Sequence, residues 1–504
     1  MTRRAGGLGL AIAWVLALGA VPGAAQGYRA LIEVRGQTVA LRGWALDSIP
    51  AGDVGATAAG SFVSPQGFVV DCRSADPFCY FYRPGERQNA LPVSAAADVT
   101  IWGLGVTGLS LHANVRAVAN ADDLDWAGSR PTVHFWEGYA RYETQFLQIR
   151  AGRQTFASRL GLAGFDGGQV ILQSRRVGLY GGGYFGFGLA RNTSTLITSD
   201  LVNPLGEFRP PERHLVFGAM GGWSGGPADL RIDWQREVDR AAEKQIADRL
   251  ALSGTVRATR RVSLTGGAEY DLAQGWLGSA DLSLRYASRP VTASGGYRRY
   301  RPHFDLWSIW SAFSPVAYNA AVGSLAVAPV RWLRLRGRAE YYAFETTEAA
   351  TPLTDVEEDG YRWSAGATLT RLPRWSFDLG YTFDHGVGAR GDGWDAMVGW
   401  TPTDRVSLRA FGATLDRPLE LRFDDARVRW LGIGAEWRAR DAFTVGIDGT
   451  YIYEERQRPD AAGFDWRQAR VAARVTYIFG SATAEGRPLP RAIERMPSVT
   501  GQGR

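Results

Sequence analysis

The sequence predicts an all-β protein: a transmembrane antiparallel β-barrel of about 20 strands (18–22) with a small N-terminal β element. Three observations carry this expectation. From about residue 107 to 479, apolar or small residues alternate with polar or charged ones, a period of two that belongs to strands. The connections are short at one end of the strand pairs and long at the other. The apolar faces are made of Gly and Ala and end in aromatics, which suits lipid better than a soluble core needing large aliphatics. Composition agrees: 62 Gly among 504 residues is about 12%, against a usual ~7%. Mean hydropathy is −0.18, too polar for a helical membrane bundle, while 12% aromatic content excludes a disordered chain. The net charge of +6 is carried by arginines spread along the chain, with Lys244 the only lysine. With no basic block, no nucleic-acid partner is expected.

Residues 1–25 read as a signal peptide: Arg3 and Arg4, an apolar stretch Leu8 to Ala20, then Gly23-Ala24-Ala25 before Gln26. The apolar stretch falls short of the ~20 residues of a membrane helix, and no later stretch supplies 18. Residues 26–95 are expected to form the small N-terminal β element, at the periplasmic side, with Leu31 to Arg35 and Thr38 to Arg42 as strands. A plug inside the lumen and extra barrel strands are the alternatives. Cys72 and Cys79 are expected to pair in an oxidising compartment, because zinc would need a second Cys/His couple that is absent.

The barrel is expected over 96–480. Leu333, Leu335, Gly337, Ala339 and Tyr341 alternate with Arg334, Arg336, Arg338 and Glu340; Trp375, Phe377, Leu379 and Tyr381 alternate with Ser376, Asp378, Gly380 and Thr382. Segments of this kind approach the 9–11 residues a tilted strand needs to cross hydrocarbon. Long loops are expected at 119–130, 155–166, 192–212, 301–316, 346–358, 416–427 and 455–464. An Arg facing lipid at the midplane costs ~2–4 kcal/mol, so the charged parity must face the lumen. That reasoning makes Arg116, Glu137, Arg141, Arg150, Arg231, Asp233, Arg285, Arg334, Arg336, Arg338, Glu340, Asp378 and Arg409 the expected pore lining. Water is the simplest partner for so many charges, which points to an open pore.

The last strand, Arg474-Val475-Thr476-Tyr477-Ile478-Phe479, resembles the C-terminal insertion signal of outer-membrane proteins. The resemblance implies recognition by the barrel assembly machinery in a Gram-negative-type envelope. Here a polar tail, 481–504, follows it and is expected to be disordered. Glu137-Gly138-Tyr139-Ala140-Arg141, then Arg150-Ala151-Gly152-Arg153-Gln154 and Gly164-Phe165-Asp166-Gly167, resemble a hairpin of the alginate-export class of outer-membrane porins. Over these 30 or so residues the resemblance implies a monomeric passive barrel whose arginine-lined lumen conducts anionic solutes.

The expected function is passive diffusion of hydrophilic, anionic solutes, with outer-membrane lipid and the solute as partners and no cofactor or metal. A plugged structural or adhesive barrel is the alternative, and a barrel hydrolase a lesser one. Asp384 and His385 are adjacent on a strand, so they point to opposite faces. His303 and Asp305 lie in an expected loop, beside the aromatic run Leu306 to Trp310. No nucleophile elbow, phosphate loop or zinc motif stands out, and the chain is not expected to be an enzyme.

Overall fold

The computed structural model describes residues 27–56, 62–72, 76–121, 132–189, 214–239, 244–301, 316–345, 359–386, 389–417, 425–457 and 466–480. The expected signal peptide, the expected tail and most of the 301–316 segment lie outside the described residues.

The strands begin with β1 (Gly27–Pro50), the short β2 (Gly55–Ala56), β3 (Phe62–Val63) and β4 (Asp71–Cys72), then β5 (Phe78–Ala90) and β6 (Pro92–Trp102). There follow β7 (Leu109–Asn120), β8 (Thr132–Glu143), β9 (Leu147–Ser158), β10 (Gly161–Ser174), β11 (Leu179–Gly188), β12 (Leu215–Gly225), β13 (Ala228–Asp239) and β14 (Lys244–Arg257). Next are β15 (Val262–Asp271), β16 (Trp276–Ala287), β17 (Val291–Tyr300), β18 (Tyr318–Val330), β19 (Leu333–Phe344) and β20 (Asp359–Leu369). The last are β21 (Trp375–Gly386), β22 (Ala389–Thr403), β23 (Val406–Arg417), β24 (Asp425–Arg440), β25 (Phe443–Gln457) and β26 (Trp466–Gly480).

Strands β1 and β6 to β26 close a 22-strand antiparallel barrel. One edge of β1 pairs with β26, from Arg29 opposite Gly480 to Ala40 opposite Ala469. Its other edge pairs with β6, from Gly27 opposite Trp102 to Gly36 opposite Val93. Closure leaves no free edge at membrane depth. Both barrel ends, Gly27 and Gly480, lie at the rim that carries the short turns, such as 226–227, 331–332 and 441–442.

Two sequence expectations need correction. Residues 26–95 do not make an element separate from the barrel, because β1 is itself a stave and residues 92–95 belong to β6. Beyond Ala40, β1 outruns its barrel neighbours and pairs instead with β5, from Val39 opposite Ala90 to Pro50 opposite Phe78. The result is a two-stranded ribbon rising from the rim opposite the chain ends, so the element is not at the end where the chain enters and leaves the barrel. Its cap is closed by the Cys72–Cys79 disulfide and a small core in which Val70, Cys79 and Phe81 are buried and Phe68 stacks on Phe81 at 5.6 Å. The second correction concerns 155–166, which is the apex of the β9–β10 hairpin and has only Arg159 and Leu160 as its turn.

The two parities differ in exposure as a barrel demands. On β13, Leu230 and Ile232 are 47% and 46% exposed, while Arg231 and Asp233 between them are 8% and 2% exposed. Outward Leu431, Ile433, Trp437, Ile447 and Tyr451 are likewise exposed on β24 and β25. So extensive an apolar outer surface would not be stable in water. Among the described residues no helix is long and apolar enough to cross a membrane.

Candidate functional site: the lumen and its inward hairpin

Alternation sets the lining. Along β19, Leu333, Leu335 and Gly337 take the outward parity, so Arg334, Arg336 and Arg338 occupy successive inward positions ~7 Å apart. These three arginines border a cavity of about 1950 Å³ within the barrel. Nine arginines line it, including Arg159, Arg231, Arg285 and Arg298, against three carboxylates, Asp229, Glu269 and Asp281. Hydroxyls such as Ser253, Thr265, Ser283, Ser294 and Ser324 also line it.

Part of this charge is compensated across strands. Arg336 donates to both oxygens of Asp378 at 2.6 and 2.7 Å, and Thr368 donates to the same carboxylate. Glu340 accepts from Arg298 and lies 3.5 Å from Arg338. Arg409 pairs with Asp448, and Arg249 with Glu269 at 3.2 Å. Arg285 and Arg334 have no ion-pair partner among the described residues.

The lumen is not uniformly wet, contrary to the expectation from its charges. Pairing between β8 and β9 stops at Arg153, and pairing between β10 and β11 starts only at Phe165. The hairpin apex between those points leaves the wall and enters the lumen. There Phe156, Phe165, Ile171, Tyr184, Val216 and Met220 pack into an apolar cluster. Gln154, Asp233, Gln235 and Glu237 are buried around it. Arg159, at the tip, bonds to Asp281 and to the Ser279 hydroxyl at 3.4 Å on the far strand β16. Arg231 chelates Asp233 at 2.8–3.0 Å and donates to the Ala157 carbonyl at 3.2 Å. Burial of these charges is offset because each is paired and hydrogen-bonded.

The base of the hairpin is built from the motif residues noted in the sequence. Arg153 donates to both oxygens of Asp166 at 2.7 and 2.9 Å, and the Gln154 amide donates to the Gly167 carbonyl at 3.1 Å. Gly152 sits at φ 128°, where an added Cβ would meet the Gly138 carbonyl at 2.3 Å. Only glycine permits the strands to approach there.

Of the remaining expected lining residues, Glu137 lies 3.3 Å from His112, Arg150 lies over the Tyr139 ring at 5.3 Å, and Arg141 contacts Glu143. Arg116 stands on the same parity, opposite Ala96 and His134. Arg159 and Arg298 were not among the expected residues. For Arg159 a signal existed: Phe156 shares the parity of Gln154, an odd place for an aromatic in an exposed loop.

Thr100, His112 and Glu137 form a hydrogen-bonded line, 3.0 Å from Thr100 Oγ1 to His112 Nδ1 and 3.3 Å from Nε2 to Glu137. It resembles a proton relay, but Thr100 and His112 face each other in a continuous ladder whose N–H groups are committed to strand pairing. No pair of donors is left for an oxyanion. Asp384 faces Arg362 at 3.8 Å, whereas His385 packs at a tilt against the Tyr361 ring on the other parity. His303 lies outside the described residues. Among those described, no group of three His, Cys, Asp or Glu could hold a metal ion.

No protein-family model and no curated protein matches the chain. Solved structures of similar form include OccAB4 of Acinetobacter baumannii, at 9% identity and TM-score 0.39, covering 91% of this chain and 100% of that one. A mutant of the ferric enterobactin receptor PfeA of Pseudomonas aeruginosa gives 11% identity and TM-score 0.45, covering 90% and 80%. OccK8 (OprE) of Pseudomonas aeruginosa gives 8% and 0.38, covering 90% and 98%. These are likenesses of barrel form, and no residue role passes from them to this chain. None of the three is described as an alginate exporter, so that resemblance rests on the short motif alone.

Proposed function

We propose that this chain is an outer-membrane channel for passive diffusion of hydrophilic solutes, with a preference for anions. The observation that carries this reading is the cavity itself, lined by nine arginines and three carboxylates. A cation-rich lining raises the local concentration of anions and repels cations. The apolar outer belt supports placement in a bilayer. The short-turn rim, holding both chain ends, would face the periplasm, and the ribbon and long connections the exterior. Signal peptide 1–25 would export the chain, and outward Val475, Tyr477 and Phe479 of β26 would present the assembly machinery with its signal.

In this reading the inward hairpin narrows the channel. Its apolar cluster fills the side walled by β9 to β13, and Arg159 crosses towards β16, so solutes pass along the wall that carries Arg285, Arg334, Arg336 and Arg338. The dry packing around Phe165 and Gln154, 0% and 1% exposed, favours one second reading, a plugged structural barrel. Liposome swelling separates the two. Vesicles bearing the refolded chain should swell faster in a sugar acid than in the neutral sugar of equal size. Equal rates would remove the anion preference, and no swelling would favour the plug.

A further inference from the structure

On the outer surface, near the long-connection rim, Arg429 of β24 stands opposite Tyr453 of β25, and Tyr453 opposite Arg467 of β26. One level towards the membrane are Leu431, Tyr451 and Ala469. The side chains of Arg429, Leu431, Tyr451, Tyr453 and Arg467 border an open cleft of about 400 Å³. Ala469 contributes only a methyl group, which leaves the floor of the groove low.

The height of this cleft follows from β25. Its outward residues run from Phe443 through Val445 and Ile447 to Tyr451 and Tyr453, so aromatics mark both ends of the apolar band. The eight steps from Phe443 to Tyr451 span ~27 Å along the strand, enough for a tilted crossing of hydrocarbon. Arg429 and Arg467, level with Tyr453, therefore sit at the headgroup layer.

Three other outward arginines towards this rim are neutralised. Arg153 is held by Asp166, Arg236 by Asp248, and Arg427 by Asp416. Arg429 reaches a carboxylate only at 3.9 Å, on Glu455. Arg467 lies over the Tyr453 ring at 5.2 Å and has no ion-pair partner among the described residues. Two forked donors flank an aromatic platform above an acyl-chain groove, with most of their charge uncompensated.

We infer that this cleft binds the phosphate of a phosphorylated glycolipid of the outer leaflet, Arg429 and Arg467 clamping the headgroup while an acyl chain lies along Leu431 and Tyr451. Guanidinium forks match phosphate oxygens in pairs, and at this depth such contacts replace water. The leaflet assignment rests on the orientation proposed above.

The full chain purified in detergent is titrated with bis-phosphorylated lipid A and bound lipid is counted by native mass spectrometry. R429Q/R467Q should weaken binding at least tenfold, while heat-modifiability on gels, a readout of barrel folding, stays unchanged. Leu282→Ala, on a distant outward face, should leave binding intact. Equal binding by the double variant would overturn the site, as would displacement by inorganic phosphate alone at lipid concentrations. Preference for phosphatidylglycerol over lipid A would overturn the leaflet assignment and place the fault in the orientation. Conductance recorded on the same samples reports independently on the channel reading.

Discussion

Arg159 and Asp281, 122 positions apart in the chain, are joined across the lumen: the guanidinium at the tip of the β9–β10 hairpin donates to the carboxylate on β16. This contact, with the Arg231 bond to the Ala157 carbonyl and the packing of Phe156, holds a peeled hairpin over the passage instead of leaving its apex free. A hydrogen bond to a charged partner in such a place contributes about 1.5–3 kcal/mol. Arg159→Ala should therefore loosen the apex and give larger, noisier current steps. The exchange R159D/D281R should bring the quiet state back. Identical traces for all three proteins would remove the contact from control of the passage.

Arginines without a carboxylate partner should dominate ion preference. Arg334→Glu and Arg285→Glu each change the lining by two charges. About 7 Å from a passing ion in water this alters its energy by ~1 kcal/mol, roughly fivefold in preference before salt screening. Arg336→Glu should shift preference in the same direction and also destabilise the wall, because it sets a carboxylate against Asp378. Reversal potentials of the three variants rank these effects, and no shift in any of them would place these arginines away from the ion path.

The face assignment has a depth signature. Leu282 lies at the centre of the outward face of β16, whereas Leu335 is two residues from the start of β19. Leu282→Arg should cost about 2–4 kcal/mol of folding stability in lipid, and Leu335→Arg less. Urea titrations in vesicles measure both. Equal costs near zero would mean these positions do not face lipid.

The ribbon should behave as a unit apart from the barrel wall. Replacing Cys72 and Cys79 by Ala removes a short loop closure worth about 2.5 kcal/mol in the chain-entropy model. The expected result is proteolysis confined to residues 51–77, with the heat-modifiable barrel core preserved; loss of the core itself would contradict the independence.

At the ribbon, the Ser48 amide and the Arg83 guanidinium hold the Asp47 carboxyl below its usual 3.8. A depressed carboxyl contributes stability above the unfolded value and loses it as pH falls through the folded one. The Asp47–Arg83 tie should thus be fully made at neutral pH and fade only below about 3.8. A carboxyl titration followed by NMR should show a midpoint under that value, and Arg83→Ala should raise it.

Parity was readable in the sequence because lipid outside and charge inside impose a period of two that a strand cannot hide. Arg334, Arg336 and Arg338 announced their face by cost alone. The ribbon was not readable, since β1 passes from stave to free strand through one register shift between Arg42 and Trp44 without changing its composition. The hairpin apex reads as a loop in the sequence because Gly161, Gly164, Gly167 and Gly168 interrupt its alternation. Contacts such as Arg159 to Asp281 or Arg298 to Glu340 depend on register summed over many strands, which no local spacing encodes.

The most direct test of the central claim is the reversal potential of single channels in a planar bilayer under a KCl gradient. An open passage lined by the arginines of β16 and β19 should give steady steps and a potential of the sign that marks chloride as the favoured ion. A folded, inserted barrel that stays silent, or one that favours potassium, would contradict the account.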